Sequence, residues 1–153
     1  MLTQELTIRR AGPSDRDLIV DFNSRLARET ENRELEQSKI QSGVQNLLED
    51  PTRGVYYVAE HGGSIIGQIM ITREWSDWRN GWFWWIQSLY VGTEFREQGV
   101  FKALYRHVET EAVAASDVCG LRLYVDDDNS RAQAAYRKLG MARSRYEFFE
   151  VEF

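Results

Sequence analysis

Apolar residues recur along this chain with two different spacings, and each spacing predicts a different kind of element. LTIRR, at residues 6–10, alternates as a short strand does. Two later segments carry an apolar residue at every third or fourth position, as a helix with one buried face does. The first should run from Pro13 to near Thr30, and the second should end before Pro51. The apolar positions of these two helices are Leu18, Phe22, Leu26, Ile40, Val44, Leu47 and Leu48.

The middle of the chain is rich in residues that favour strands. GVYYVAEHGGSIIGQIMIT (54–72) predicts a hairpin, because Gly62 and Gly63 can adopt the positive φ of a tight turn. The polar segment REWSDWRN (73–80) predicts a loop. GWFWWIQSLYV (81–91) is too continuously apolar for a half-exposed strand and predicts a central strand covered on both faces.

The last third of the chain alternates between helix and strand patterns. In EFREQGVFKALYRHVE (94–109) a helix should begin after Gly99, with one apolar side formed by Val100, Phe101, Leu104, Val108 and Ala112. LRLYV (121–125) predicts a strand parallel to the long one, because a helix connects the two. Asn129 predicts the cap of a short helix that Gly140 ends. RYEFFEVEF (145–153) predicts a last strand with a bulge.

This order of elements, βααβββαβαβ, predicts an α/β (α+β) fold with a mixed sheet and helices on both faces. The 153 residues should form one domain, residues 1–153. A formal charge of -5, with basic residues scattered among acids, argues against nucleic-acid binding. No apolar run approaches the roughly 20 residues of a membrane helix, and MLTQELTIRR (1–10) has no apolar stretch long enough for a signal peptide, so we expect a cytoplasmic protein. We expect no metal, because no Cys or His pair has a zinc-ligand spacing.

Gly99 lies where the predicted sheet should bind a small molecule. The carboxyl ends of parallel strands are the usual ligand sites of such sheets, and Gly99 follows one of these ends. A glycine lets the backbone approach a bulky anion, and the start of a helix favours phosphate. Taken alone, Gly99 also fits an ordinary turn before a helix. The chain has neither GxxxxGK[ST] nor GxGxxG, which argues against the common nucleotide-binding loops.

Two segments taken together resemble the motifs of one enzyme family. Arg96-Glu97-Gln98-Gly99-Val100-Phe101 resembles the R-x-x-G-x-[G/A] acyl-CoA pyrophosphate loop of the GNAT superfamily of N-acetyltransferases. Asn129-x-x-Ala132-x-x-x-Tyr136-x-x-x-Gly140-Met141 is similar to the downstream helix of that superfamily. The order of elements from Leu6 onward is similar too. Phe101 departs from the pattern, because the family usually has a small residue there.

The resemblance implies a binding site for acetyl-CoA as the acyl donor. A backbone N–H of the strand before the loop would polarise the thioester carbonyl, and that strand would pair with the pantetheine arm. Arg96 would help the loop to hold the diphosphate, and Asn129 would meet the pantetheine or cysteamine end. The residues implied in cofactor binding are Leu89, Tyr90, Val91, Arg96, Gln98, Gly99, Val100, Phe101, Lys102 and Asn129.

The resemblance also implies that Tyr136 is the general acid, because a phenol with a pKa near 10 can protonate a departing thiolate. A tyrosine that only packs in the core is the alternative. Where many relatives have a basic Glu, this chain has Gln87, which cannot take a proton. The base could then be a carboxylate acting through water, and an amine that arrives neutral needs none. The candidate carboxylates are Glu29, Glu31, Glu74 and Asp77.

Aromatic and acidic residues cluster before the long strand. Trp75 and Trp78 could form an aromatic wall beside Glu74 and Asp77, which would suit an organic cation. The other tryptophans, within the strand, are expected in the core. The residues expected to bind the acceptor are Glu29, Glu31, Glu74, Trp75, Asp77, Trp78 and Gln87.

The expected function is therefore transfer of an acetyl group from acetyl-CoA to a primary amine of a small molecule or peptide. Because Gln87 cannot take a proton, a second interpretation is a CoA-binding sensor or regulatory module without turnover. A third reading is an interaction domain with an empty cleft. The strand ending in VEF could pair with a second subunit in a homodimer or be a covered edge. The sequence does not name the acceptor.

Overall fold

The computed structural model describes residues 2 and 4–153. The chain divides into a unit that ends at Leu123 and a second unit, Tyr124–Phe153. The first unit contains β1 (Leu6–Arg10), α1 (Arg16–Glu31), α2 (Gln37–Glu49), β2 (Val55–His61), β3 (Ser64–Ser76), β4 (Gly81–Val91), α3 (Val100–Ala114) and β5 (Val118–Arg122). The second unit contains α4 (Ser130–Lys138). Among the residues described, no helix is both long and apolar enough to cross a membrane.

The sheet has the mixed topology that the sequence predicts. Its strand order is β1-β2-β3-β4-β5, with antiparallel pairs as far as β4 and a parallel pair between β4 and β5. The β2–β3 turn is formed by Gly62 and Gly63, with φ of 57° and 78°. Both values lie in the left-handed region that glycine adopts without strain. The hairpin prediction is confirmed.

Neighbouring residues of β2 show that helices cover both faces of the sheet. The Tyr56 hydroxyl accepts a hydrogen bond from Asn23 Nδ2 of α1 at 3.1 Å. The ring of Tyr57, on the other face, packs against His107 of α3 with ring centres 4.9 Å apart. Helices α1 and α2 form one core with β2, made of Ile19, Val20, Val44, Tyr56 and Val58. We call the two sides the α1 face and the α3 face.

Helix α3 begins close to the sheet because β3 has a glycine beneath it. A Cβ atom at Gly67 would lie 3.2 Å from Val100 Cγ1 and 3.3 Å from Leu104 Cδ1. Such contacts are tighter than close packing tolerates without movement. The buried residues of α3 are Val100, Leu104, Tyr105, Val108 and Ala112. Phe101, expected on this apolar side, is only partly buried.

Three predicted boundaries are wrong. Strand β3 continues to Ser76, so the first half of the predicted loop REWSDWRN is strand and the turn is 77–80. Strand β5 is Val118–Arg122, three residues earlier than predicted at its start. Residues 145–153 contain no strand in the described structure, although their pattern alternates. An alternating pattern alone supplies no partner strand, and a strand exists only when its backbone groups are paired.

Candidate active site

Strand β4 contains a bulge near its carboxyl end. Gln68 of β3 pairs with Tyr90, and Met70 pairs with Gln87. One residue of β3 therefore stands opposite two residues of β4, Ser88 and Leu89. Ser88 has a φ of 49°, in the left-handed region. A bulge of this kind re-aims the backbone groups of the strand that contains it.

The parallel pairing of β4 with β5 ends before this bulge. The ladder runs from the pair Trp82–Val118 to the pair Trp85–Arg122, whereas β4 continues to Val91. Residues 86–91, which include the predicted Leu89, Tyr90 and Val91, thus lie past the last described pair on the β5 side. Their backbone groups on that side can pair with another extended chain.

The loop after β4 leads directly into α3. A short turn, Thr93–Phe95, is followed by residues 96–99, in which Glu97 and Gly99 have φ of 62° and 86°. The Gly99 carbonyl accepts a hydrogen bond from the Ala103 N–H at 2.9 Å. The N–H groups of the first helical turn therefore point out of the helix end, toward Gly99. Apart from residues 98 and 100, no described atom lies within 4 Å of where a Gly99 Cβ would stand, so a ligand can approach the backbone from that side.

The Arg96 guanidinium ties this loop to β4 and α1. Arg96 Nε donates to the Val91 carbonyl at 2.9 Å, and Nη2 donates to Glu29 Oε2 at 2.6 Å. The same group lies 5.3 Å from the centre of the Tyr90 ring. Tyr90 Oη donates to Glu29 Oε1 at 3.4 Å, and burial raises the pKa of Tyr90. The structure thus brings together four residues that were predicted in the site, and it pairs the arginine among them with the Glu29 carboxylate. The four residues are Glu29, Tyr90, Val91 and Arg96.

Gln87 and Glu74 lie on the α1 face, and both have partners. Gln87 Nε2 donates to Thr72 Oγ1 at 2.6 Å. Glu74 Oε1 accepts from Trp85 Nε1 at 3.1 Å and from Arg122 at 2.8 Å. The ion pair offsets the negative charge that was expected to attract a cation.

The tryptophan wall predicted beside Glu74 is not formed as expected. Trp75 follows Glu74 in β3, so its side chain is on the opposite, α3 face, where it packs edge-on against Trp82 at 5.0 Å. Trp78 is in the turn and is 86% exposed. The Asp77 carboxylate accepts the Trp78 backbone N–H at 2.9 Å. Glu31 is exposed at the end of α1.

The second unit holds the other two predicted site residues. Asn129 Oδ1 accepts the Ala132 N–H at 3.1 Å, so Asn129 caps α4 as predicted. Tyr136 is partly buried, and this burial raises the pKa of its phenol. Gly140, with φ of 98°, follows the helix end as predicted.

Residues 17–141 match the sequence model of the Acetyltransferase (GNAT) family. The chain belongs to this family. Its structure is similar to that of a possible acetyltransferase from Clostridium difficile 630, with 41% identity, 97% of each chain covered and a TM-score of 0.92. No curated protein matches the sequence significantly.

More distant structures share the GNAT fold. A ribosomal-protein-alanine N-acetyltransferase from Brucella melitensis biovar Abortus 2308 is 16% identical, with a TM-score of 0.78 over 97% of this chain and 99% of that one. An aminoglycoside acetyltransferase from an uncultured soil metagenomic sample, in complex with sisomicin, is 17% identical. Its TM-score is 0.78 over 97% of this chain and 96% of that one.

Sequence reasoning missed residues that shape the site of this GNAT acetyltransferase. Ser88 lies in the bulge and Gln68 donates a hydrogen bond to its carbonyl, and neither residue was expected in the site. Their only sequence signal is a glutamine inside the apolar run IIGQIMI, where a polar side chain needs a partner. Within residues 2 and 4–153, no group of three or more His, Cys, Asp or Glu residues is placed to hold a metal ion.

Proposed function

We propose that this GNAT acetyltransferase moves the acetyl group of acetyl-CoA to a primary amine of a small molecule or peptide. One observation carries the proposal: the left-handed Gly99 begins α3 directly after β4, whose bulged end lies past its pairing with β5. A single site thereby combines an open strand edge with an anion-binding helix start. These are the two features that a CoA thioester, with an extended arm and a diphosphate, requires.

The cofactor residues divide between these two features. The backbone of Leu89, Tyr90 and Val91 would pair with the pantetheine arm. The N–H groups of residues 98–102 would hold the diphosphate at the start of α3. Arg96 keeps the loop in place through Val91 and Glu29, so its contribution is to position the loop as much as to neutralise phosphate.

The reaction is a direct transfer. The amine nitrogen attacks the carbonyl carbon of the thioester, a C–N bond forms, and the carbonyl oxygen gains negative charge. The C–S bond then breaks with its electrons going to sulfur, which takes the proton of the Tyr136 phenol, while the nitrogen loses one proton to solvent. The phenolate regains a proton from water. Burial raises the pKa of Tyr136, so its phenol carries a proton at neutral pH, as a general acid must.

The acceptor is expected on the α1 face, where Gln87, Glu74 and Glu29 lie. Since Gln87 takes no proton and both carboxylates are ion-paired, we propose that the amine arrives neutral or loses its proton to water. Glu31, Asp77 and Trp78 would contact larger acceptors, and Trp75 would do so only from the α3 face. The family match covers residues 17–141 and so extends past Leu123, which supports the proposal that residues 1–153 are one domain. Cytoplasmic location and a homodimer stay predictions.

The test is a calorimetric titration of the full chain with acetyl-CoA and with dephospho-CoA, followed by thiol release with a panel of primary amines. We expect a Kd for acetyl-CoA in the micromolar range; a Kd of 1 μM corresponds to a binding free energy of about -8 kcal/mol. We also expect thiol release with at least one amine. Binding without thiol release across the panel would favour the sensor reading. No binding up to about 1 mM would reject both readings.

A further inference from the structure

Gln68 is a fully buried polar residue that touches the β4 bulge. Its exposed fraction is 0%, and its Nε2 donates to the Ser88 carbonyl at 3.0 Å. Its Oε1 has no hydrogen-bond partner among the described residues. Two residues of β3 close to Gln68 in sequence, Ile66 and Ile69, are apolar and buried. A lone glutamine thus stands in an apolar strand with one end bonded to the bulge.

Burying this amide disfavours folding relative to an apolar side chain. A polar atom that leaves water without gaining a partner loses free energy, and Oε1 is such an atom. A leucine or methionine of similar size would fill the same space without this cost. The bond to Ser88 is therefore the feature that distinguishes glutamine from its apolar substitutes.

That bond fixes the direction of one peptide group. The Ser88 carbonyl and the Leu89 N–H belong to the same planar, trans peptide, in which the oxygen and the hydrogen point in opposite directions. Because Gln68 Nε2 holds the oxygen, the Leu89 N–H points away from Gln68. Ser88, with its φ of 49°, is in a strained region for a residue other than glycine, so it needs such support.

We infer that Gln68 is a positioning residue that aims the Leu89 N–H at the thioester carbonyl oxygen. This inference rests on the proposed function. As the amine attacks and the C–N bond forms, negative charge develops on that oxygen before the C–S bond breaks. A preorganised N–H stabilises the charge only if its direction is fixed in advance. Gln68 acts through Ser88 and does not touch the substrate.

The experiment compares wild type with Gln68→Met, which keeps the volume and removes the donor. We expect kcat to fall at least about tenfold, while the Kd for CoA and the KM for acetyl-CoA stay within about twofold. The infrared carbonyl stretch of bound acetyl-CoA should move toward its value in solution, because the carbonyl is less polarised. The control is Ser24→Ala, which removes a buried hydroxyl of α1 that donates to the Val20 carbonyl and leaves Gln68, Tyr56 and Ser88 in place.

The inference is overturned if Gln68→Met keeps the wild-type kcat and carbonyl stretch, or if Ser24→Ala lowers kcat as much. A wild type that does not bind or turn over acetyl-CoA overturns the proposed function as well, so the two failures differ. If Gln68→Met does not fold, it is combined with Ser88→Gly, since glycine adopts a positive φ without strain. The double variant is then compared with Ser88→Gly alone, with the same expected loss and the same contrary result.

Discussion

Tyr136 carries the proton transfer of the proposed reaction, so its replacement should separate catalysis from binding. Tyr136→Phe keeps the ring and removes the acidic proton. We expect kcat to fall about 10²-fold, as general acids usually contribute, with acetyl-CoA affinity unchanged. Steady-state kinetics and a calorimetric titration of the variant check this.

The matched control is Tyr146→Phe, which removes an exposed hydroxyl in the same unit. It should leave kcat unchanged. A Tyr136→Phe variant as fast as wild type would assign this tyrosine to packing alone. A variant that loses acetyl-CoA binding would make Tyr136 a binding residue.

For single residues, the sequence predicted backbone roles better than side-chain directions. Gly140 and Asn129 have the predicted left-handed and capping roles, because local geometry demands those residue types. Arg96 was expected to face the diphosphate, yet its guanidinium contacts Glu29, 67 positions away in sequence. The residues next to Arg96 in the sequence do not indicate an ion pair with a residue so far away. Gln68 was passed over for the same reason, because its partner Ser88 lies on the next strand.

The junction of β4 and α3 depends on the left-handed Gly99, whose φ is 86°. Replacing it by alanine should cost about 1 kcal/mol of backbone strain, because a Cβ disfavours this region. We expect acetyl-CoA to bind about fivefold more weakly, since the strained chain shifts the N–H groups of the helix start. Gly99→Asn should lose less, because asparagine tolerates the region.

Calorimetric titration of both variants measures this difference. Apart from the two adjoining residues, no described atom lies within 4 Å of where a Gly99 Cβ would stand, so the added Cβ itself meets no steric clash in either variant. Equal and undiminished affinity in the two variants would mean that the loop conformation does not matter for binding. Equal loss in both would instead point to a clash between any side chain and the ligand.

Among the elements, β1 and β4 were predicted with their observed limits, whereas β3 was cut short. Polar residues Arg73 and Glu74 suggested a loop. In the structure they pair with Trp84 and Phe83, and Trp75 pairs with Trp82 across the strands. Cross-strand aromatic contacts of this kind stabilise a polar strand that its own composition would not predict.

The molecule should become less stable in alkaline solution because several tyrosines are buried. Burial raises the pKa of Tyr56 and Tyr136, among others, so the folded state holds these protons more tightly than the unfolded state. Below pH 10 the tyrosines are protonated in both the folded and the unfolded state, so they do not change the free energy of unfolding. Above pH 10 the unfolded state ionises first, so the free energy of unfolding should fall as pH rises. Denaturant titrations at pH 8 to 11 measure it.

Few side chains other than tyrosine change charge in the pH range of this test. The chain has sixteen arginines, which stay charged, and only three lysines, Lys39, Lys102 and Lys138, all exposed. Tyr56→Phe should make the decline above pH 10 less steep while lowering stability at pH 8, because Asn23 Nδ2 loses one of its two acceptors. A stability that is constant from pH 8 to 11 would contradict the prediction.

For the fold as a whole, the periodic patterns gave the mixed sheet and its two helical faces. They worked because a helix connects the two parallel strands, β4 and β5, and because each buried face repeats with its own period. The C-terminal segment 145–153 shows the limit, since its alternation predicted a strand that the described structure lacks. Pairing is a property of two segments, and the pattern of one segment does not reveal it.

All five tryptophans lie between positions 75 and 85, on the hairpin of β3 and β4. The intrinsic fluorescence of the protein therefore reports on one end of the sheet, while α1, α2 and α3 contribute no indole emission. Circular dichroism in the far ultraviolet samples every helix and strand. The two optical signals agree during unfolding only where the molecule melts in a single step, so their separation measures how independently this hairpin opens.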